Sequence, residues 1–182
     1  LEKFVSLYKK ACDMGDAVGC SSLGFMYSKG GVLVEKDLEK AASFYKKTCD
    51  IGDAGGCGSL GNMYLSGEGV EKDTGEAFYL FKKACDMGDT NGCGSLGSMY
   101  EFGRGVEKDA GKAASLYNKA VSLDKKRCDM GELLGCISLG YMYERGVYVE
   151  KDVEKAASLY KKACDMEDDS LGCIMLKNLY KK

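Results

Sequence analysis

The cysteines of this chain recur in pairs at a nearly fixed interval, and that recurrence limits the possible folds more than any other feature. Along the sequence they pair as Cys12/Cys20, Cys49/Cys57, Cys85/Cys93, Cys128/Cys136 and Cys164/Cys173. The first cysteine of each pair follows the previous one by 37, 36, 43 and 36 residues. Self-similarity at such a period is typical of proteins built from stacked structural repeats. The chain of 182 residues is therefore predicted to be an array of units with an underlying period of 36 residues.

The residues between the cysteine pairs predict two helices in each unit. A phrase of the form Cys-x-Ser-Leu-Gly-x-Met-Tyr begins at Cys20, Cys57, Cys93 and Cys136, and its recurring positions at i, i+3, i+4 and i+7 form one helical face. We call this segment helix A. The second segment, helix B, follows an aspartate such as Asp37 that is a suitable N-cap, and it ends at a glycine such as Gly52. Each unit is thus predicted to be a hairpin of two antiparallel helices.

The hairpins are expected to stack, because a single hairpin cannot bury its own apolar face. The predicted fold is an all-α, α/α solenoid of helical hairpins that forms a single array over residues 1–182, with repeat junctions near residues 16, 53, 89, 132 and 169. Gly24, Gly61, Gly97 and Gly140 lie in the middle of helix A. A glycine there costs about 1 kcal/mol relative to alanine. We therefore expect these glycines to admit close approach of a neighbouring helix.

Two irregularities interrupt the period. The segment Leu1–Tyr8 aligns with Leu38–Tyr45, which predicts that the chain begins inside a helix B of a longer array. The 43-residue step contains seven extra residues, near 114–127. Seven residues make close to two helical turns, so they add about 10 Å of helix length and rotate the core-facing side by only about 20°. The insertion is predicted to lengthen helix B, with a bulged loop as the alternative.

Each cysteine pair joins the end of one helix B to the start of the next helix A. Positions on the two sides of a tight helical corner face each other, so we expect five disulfides, one within each hairpin. Zinc sites favour Cys-x₂₋₄-Cys spacing and redox sites favour Cys-x-x-Cys, and neither spacing occurs here. Reduced structural thiols and a bound metal are the alternatives. Five disulfides would imply a secreted or bacterial periplasmic protein, or one of the mitochondrial intermembrane space.

Composition excludes several classes of function. The absence of histidine excludes histidine-based triads and histidine-ligated zinc. The 26 basic and 28 acidic residues are interleaved, so no basic block favours nucleic acid. The longest uncharged stretch, Ala54–Gly67, has fourteen residues, whereas a membrane-spanning helix needs about 20. We predict no metal site, no cofactor and no membrane span, and we expect a monomer.

The repeat also resembles a known family. The phrase Leu-Gly-x-Met-Tyr-x-x-Gly-x-Gly-Val-x-Lys-Asp occurs at Leu60–Asp73 and Leu96–Asp109, and it is similar to the Sel-one-like repeat (SLR), a relative of the tetratricopeptide repeat. With a cysteine pair at each hairpin, the array resembles the Helicobacter cysteine-rich proteins. That resemblance implies a right-handed superhelix, disulfides within hairpins, export, and a penicillin-binding or slow β-lactamase activity. The wider SLR family implies binding of a peptide or protein on the concave side.

The implied β-lactamase activity has little support in these residues. Serine β-lactamases combine Ser-x-x-Lys with Ser-Asp-Asn and Lys-Thr-Gly elements. Ser-x-x-Lys begins at Ser6, Ser43, Ser122 and Ser158, because helix B repeats, and the other two elements are absent. These four serines are weak catalytic candidates, and a slow β-lactam hydrolase is the alternative function.

A binding function has one independent observation in its favour. Within helix A, the positions that vary between units lie one, five and eight residues after the cysteine and form a second stripe, distinct from the core face. In tetratricopeptide-like arrays helix A lines the concave groove, so the stripe is predicted to bind a protein, a peptide or a peptidoglycan fragment, with a β-lactam as the alternative ligand. The candidate binding residues are Ser21, Phe25, Ser28, Asn62, Leu65, Ser98, Glu101, Tyr141, Glu144 and Asn178.

Overall fold

A computed structural model describes residues 2–167 and 171–180, and all regular secondary structure in these ranges is helical. The helices are α1 (Glu2–Asp13), α2 (Ala17–Lys29), α3 (Leu38–Ile51), α4 (Ala54–Ser66), α5 (Thr74–Asp86), α6 (Thr90–Phe102), α7 (Ala110–Asp129), α8 (Leu133–Arg145), α9 (Val153–Met166) and α10 (Leu171–Leu179). Odd-numbered helices are helix B and even-numbered helices are helix A. The all-α fold of helical hairpins is confirmed. The chain divides into two compact units, Leu1–Ala110 and Gly111–Lys182.

The corners between helix B and helix A are closed by local backbone chemistry. At the α3–α4 corner, Gly52 takes φ 100°, in the left-handed region that favours glycine. Asp53 then caps α4, because its Oδ1 accepts a hydrogen bond from the Gly56 N–H at 2.8 Å. Asp16 and Asp89 cap α2 and α6 in the same way. The predicted junction near residue 169 lies outside the described residues.

A disulfide closes every one of these corners. The five bonds join Cys12–Cys20, Cys49–Cys57, Cys85–Cys93, Cys128–Cys136 and Cys164–Cys173. The paired Cα atoms are 4.4–4.6 Å apart. All ten cysteines are used, so neither free thiols nor a thiolate metal site remains. The prediction that each hairpin is stapled by its own disulfide is confirmed.

The helix A glycines sit directly against aromatic rings of the following helix B. A Cβ built on Gly61 would lie 2.8 Å from the ring of Phe81, a side chain with no exposed surface. A Cβ built on Gly24 would likewise lie 2.8 Å from the Tyr45 ring, and one built on Gly140 would lie 2.7 Å from the Tyr160 ring. Real Cβ atoms do not approach this closely, so only glycine fits. The predicted close approach is confirmed at these three positions.

The seven extra residues lie within α7, an unbroken helix of 20 residues. In α3, α5 and α9 the residue four positions before the corner cysteine is aromatic, whereas in α7 it is Asp124. The Asp124 side chain is buried and accepts a hydrogen bond from the Ser138 hydroxyl. Arg127 lies 3.7 Å from the other Asp124 oxygen and also pairs with Glu132. A polar network therefore surrounds this position of α7, since a buried carboxylate must be hydrogen-bonded or paired.

Candidate functional site

Three adjoining depressions on the Leu1–Ala110 unit form one groove, which we call the α2–α4 groove. Their volumes are about 570, 540 and 450 Å³. The first and second share Phe25, Tyr45 and Ser59, and the second and third share Asn62, Met63 and Glu68. Because neighbouring depressions share lining residues, they adjoin one another and together extend from Tyr8, on α1, to Arg104, after α6.

Half of the predicted binding residues line this groove. The five are Ser21, Phe25, Ser28, Asn62 and Leu65. They come together because α2 and α4 present the same helix A face in successive repeats. Ser98 and Glu101, on α6, do not line the three depressions.

In the Gly111–Lys182 unit the predicted residues are placed differently. Glu144 lines a separate depression of about 430 Å³, with Arg145, Lys151, Val153 and Leu179. Tyr141 and Asn178 are exposed and do not line that depression.

Phe25 is the centre of the α2–α4 groove. Its ring is 58% exposed, although it lines the first two depressions. It also lines a smaller depression of about 150 Å³, formed with Met26, Val32 and Leu33. Val32 is 90% exposed. An exposed aromatic side chain at the meeting point of several depressions is the kind of anchor that dominates protein interfaces.

The polar side chains of the groove differ in what they offer a ligand. The Ser21 hydroxyl donates to the Val18 carbonyl at 3.1 Å, and the Ser28 hydroxyl donates to the Phe25 carbonyl at 2.8 Å. Within the described part of the chain, the exposed Asn62 amide makes no hydrogen bond. A side-chain amide has both donors and an acceptor, so Asn62 matches the N–H and C=O groups of a peptide backbone.

The loop between α2 and α3 contributes to the site, and we did not predict its role. It supplies Val32 and Leu33 to the depression beside Phe25. The sequence does contain a signal for this role. Six residues separate Gly30 from the capping Asp37 in this loop, whereas five separate Gly67 from Asp73 in the loop after α4. The extra length carries apolar residues where the later loop has Glu68 and Gly69.

The four candidate catalytic serines are not gathered into a site. Ser6, Ser43, Ser122 and Ser158 are exposed on four different helices, α1, α3, α7 and α9. Each lies in the middle of its helix beside an exposed lysine three residues on. None of them lines the depressions described above. The depressions described above therefore enclose none of the Ser-x-x-Lys pairs.

The described residues contain neither a cluster of metal ligands nor a helix that could span a membrane. Residues 2–167 and 171–180 hold no group of three or more histidine, cysteine, aspartate or glutamate side chains arranged to bind a metal ion. In the same ranges, no helix has both the length and the apolar character that crossing a membrane requires.

A strongly perturbed titratable group lies in the second unit, where the Tyr160 hydroxyl donates to Glu144 Oε2 at 2.8 Å. Burial raises the pKa of Tyr160 well above its ordinary value, and the neighbouring carboxylate raises it further. The folded state therefore keeps this hydroxyl protonated at a pH where the unfolded chain loses the proton.

This shift gives a pH dependence with a definite sign. Stability from a raised tyrosine pKa is complete below about pH 10, the unfolded value, and is lost as the pH rises above it. We expect the free energy of unfolding of the wild type to fall more steeply above about pH 10 than that of Tyr160→Phe, by up to about 1.4 kcal/mol per pH unit. Urea titrations at several alkaline pH values measure this slope. Tyr79→Phe, at an exposed ring, should match the wild type, and equal slopes for Tyr160→Phe would contradict the assignment.

Comparison with known proteins identifies the repeat. The family model described as Sel1 repeat matches residues 5–16, 17–53, 56–89, 92–125 and 133–168. Comparison with curated protein sequences gives no match.

Solved structures of similar fold include a protective antigen of uropathogenic Escherichia coli that displays an SLR fold. It is 26% identical with a TM-score of 0.58, and the match covers 97% of this chain and 44% of that one. A Sel1 repeat protein from Oxalobacter formigenes is 25% identical with a TM-score of 0.57, and the match covers 92% of this chain and 65% of that one. This chain therefore spans less than two thirds of the length of either protein.

Cysteine-rich protein B of Helicobacter pylori is also similar. It is 35% identical, with a TM-score of 0.42, and the match covers 81% of this chain and 100% of that one. The Sel1 repeat matches given above span more than half of this chain. The chain therefore belongs to the Sel1 repeat family, and with ten cysteines it is a cysteine-rich member.

Proposed function

We propose that this chain is an exported binding module that holds a segment of another protein in the α2–α4 groove. Sel1 repeats are protein-interaction modules, which gives the general class of function. The observation that carries the proposal is the row of adjoining depressions with the exposed Phe25 ring shared between the first two. An exposed apolar surface bordered by polar groups is typical of a protein-binding site.

The groove suits an extended polypeptide. Its three depressions follow one another across successive repeats, so a ligand that fills them must be long rather than compact. Asn62, where the second and third depressions meet, offers hydrogen bonds to a peptide backbone. Phe25 offers apolar area to a side chain one repeat earlier. Backbone recognition by an amide and side-chain recognition by an aromatic ring would together fix the position of a bound segment.

We place this function outside the cytosol. All ten cysteines form disulfides, and cytosolic reductants keep most thiols reduced. The bacterial periplasm or the extracellular space fits best, and the mitochondrial intermembrane space is the alternative compartment. Alkylation of the native protein without reductant, followed by mass measurement, tests the oxidation state. More than two modified cysteines would contradict this placement.

A capture experiment tests the binding site. The disulfide-intact chain is immobilised and exposed to the extracytoplasmic fraction of its native cells, and retained proteins are identified by mass spectrometry. The double variant Phe25→Ala/Asn62→Ala should lose the partners that the wild type retains. Tyr79→Ala is the matched control, since its ring is 60% exposed on α5 and does not line the groove. Equal recovery by the groove variant and the wild type would contradict the proposal.

No observation favours the alternative hydrolase function. The Ser-x-x-Lys serines are exposed on helix surfaces, whereas an oxyanion is stabilised most effectively by donors in a site that excludes water. We expect the purified protein to hydrolyse nitrocefin no faster than buffer does. Turnover that disappears when Ser6, Ser43, Ser122 and Ser158 are changed together to alanine would contradict this expectation. Turnover that survives these changes would indicate a different catalytic site.

A further inference from the structure

Two lysines lie beside the apolar centre of the α2–α4 groove. Lys29, in the last turn of α2, lines both the second depression and the small depression around Val32 and Leu33. Lys36, from the following loop, lines the second depression. Both side chains are exposed. Two cations and the exposed Phe25 ring thus border the same space.

Neither Lys29 nor Lys36 forms an ion pair in the part of the chain that the structure describes. Nearby lysines are paired: Lys40 lies 2.8 Å from Asp37, and Lys47 lies 4.0 Å from Asp13. Glu68 is the one acidic residue among those that line the second depression, and it also lines the third. The centre of the groove therefore carries a local positive charge in a chain whose net charge is −2.

The cation of α2 distinguishes this part of the groove from the next repeats. The position of Lys29 is occupied by Ser66 in α4 and by Phe102 in α6. The apolar loop residues Val32 and Leu33 are likewise replaced by Glu68 and Gly69 after α4. An apolar wall and a pair of cations therefore occur together beside Phe25, at the centre of the groove.

We infer that the segment bound in the α2–α4 groove is an acidic peptide, in which a large apolar side chain is flanked closely by aspartate or glutamate. The apolar side chain packs against Phe25, Val32 and Leu33, and the carboxylate pairs with Lys29 and Lys36. Charge complementarity of this kind sets specificity and accelerates association. This inference rests on the proposed binding function and adds the chemistry of the partner.

Nucleic acid does not fit the same surface. Asp53 lines the first depression and Glu68 lines the second and third, so a phosphate backbone running along the groove would meet a carboxylate in each depression. A polypeptide avoids this conflict, because only the part beside Phe25 needs to be acidic. The groove therefore favours a protein segment with localised negative charge.

Selection from a random peptide library tests the inference. A phage-displayed library of twelve-residue peptides is selected on the disulfide-intact chain, and affinities of the enriched peptides are measured by fluorescence anisotropy. We expect them to carry aspartate or glutamate within two positions of a large apolar residue. We expect Lys29→Glu/Lys36→Glu and Phe25→Ala each to weaken binding by about tenfold or more. Binding to the wild type should also weaken as salt is raised.

Matched controls separate this chemistry from a general charge effect. Lys72→Glu/Lys108→Glu makes the same change in net charge, because Lys72 and Lys108 occupy the position of Lys36 in the next two loops. Tyr79→Ala removes an aromatic ring as exposed as Phe25. Both variants should bind the peptides with an affinity within about twofold of the wild type, because exposed charges and rings outside the site contribute little to binding free energy.

The remaining outcomes are distinguishable. Enriched peptides that lack carboxylates, or that bind the Lys29→Glu/Lys36→Glu variant as tightly as the wild type, overturn this inference. The proposed function survives that result if Phe25→Ala still weakens binding. Enriched peptides that bind the Phe25→Ala variant like the wild type, or no enrichment above a selection on bare support, overturn both the inference and the proposed groove function.

Discussion

Reduction of the five disulfides is expected to abolish cooperative folding of the chain at physiological temperature. Each bond closes a ring of about nine residues, for which the chain-entropy estimate is about 2.6 kcal/mol. Five such bonds contribute on the order of 10 kcal/mol, even though the contributions are not strictly additive. The total stability of a small domain is about 5–15 kcal/mol. Loss of the disulfides therefore lowers the free energy of unfolding by an amount comparable with the total stability of such a domain.

Thermal unfolding followed by circular dichroism measures this effect. The oxidised protein is compared with protein that was reduced and alkylated, and we expect only the oxidised form to show a cooperative transition. The paired variant Cys85→Ser/Cys93→Ser removes one staple and should lower the free energy of unfolding by about 2–4 kcal/mol. A melting temperature that is unchanged by reduction would show that the corners are held by other contacts, such as the aspartate caps.

The contact between Gly61 and Phe81 is expected to give the largest effect of any single substitution in the first unit. Phe81→Ala removes a ring with no exposed surface and should cost about 3–5 kcal/mol. Gly61→Ala should destabilise by about 1–3 kcal/mol, because the new Cβ would lie 2.8 Å from that ring. The second result would reverse the usual gain of about 1 kcal/mol when alanine replaces a helical glycine.

Gly58 provides a matched control in the same helix. A Cβ built there meets only Asp89 Oδ2 at 3.4 Å, an ordinary contact, so Gly58→Ala should stabilise the protein by up to about 1 kcal/mol. Tyr79→Ala, at an exposed ring on the helix that carries Phe81, should change stability by less than about 0.5 kcal/mol. Urea unfolding measures all four variants. If Gly61→Ala and Gly58→Ala shift stability in the same direction, helix packing against Gly61 is not the reason for the glycine.

Much of the fold could be predicted from the sequence because its determinants are local and repeated. Cys12 and Cys20 lie one on each side of a corner, which predicts a disulfide there. Nearly the same spacing recurs in every hairpin, so the same bond is predicted in each. Gly61 was informative for a similar reason, since a residue that is costly in a helix is explained by a close neighbour. Such signals depend on a few adjacent residues and on period, and both can be read from one sequence.

The groove could be predicted only in part. Periodicity placed Asn62 and Phe25 on one helix A face, but it could not show that α2 and α4 form a continuous depression while Ser98 lies outside it. Depth depends on how helices and loops pack around that face, and the apolar loop at Val32 and Leu33 deepens one end. The buried Asp124 was missed for a related reason, since the insertion in α7 places a carboxylate where other repeats have an aromatic ring.

Site-specific photo-crosslinking tests the central claim, that the α2–α4 groove holds another protein, most directly. The photoreactive residue p-benzoylphenylalanine is placed at position 25 or at position 79, and each protein is irradiated in the extracytoplasmic fraction of its native cells. The account predicts a discrete crosslinked protein from position 25 and none from position 79, since Phe25 lines the groove and Tyr79 does not. Equal crosslinking from both positions, or crosslinking from position 79 alone, would contradict it.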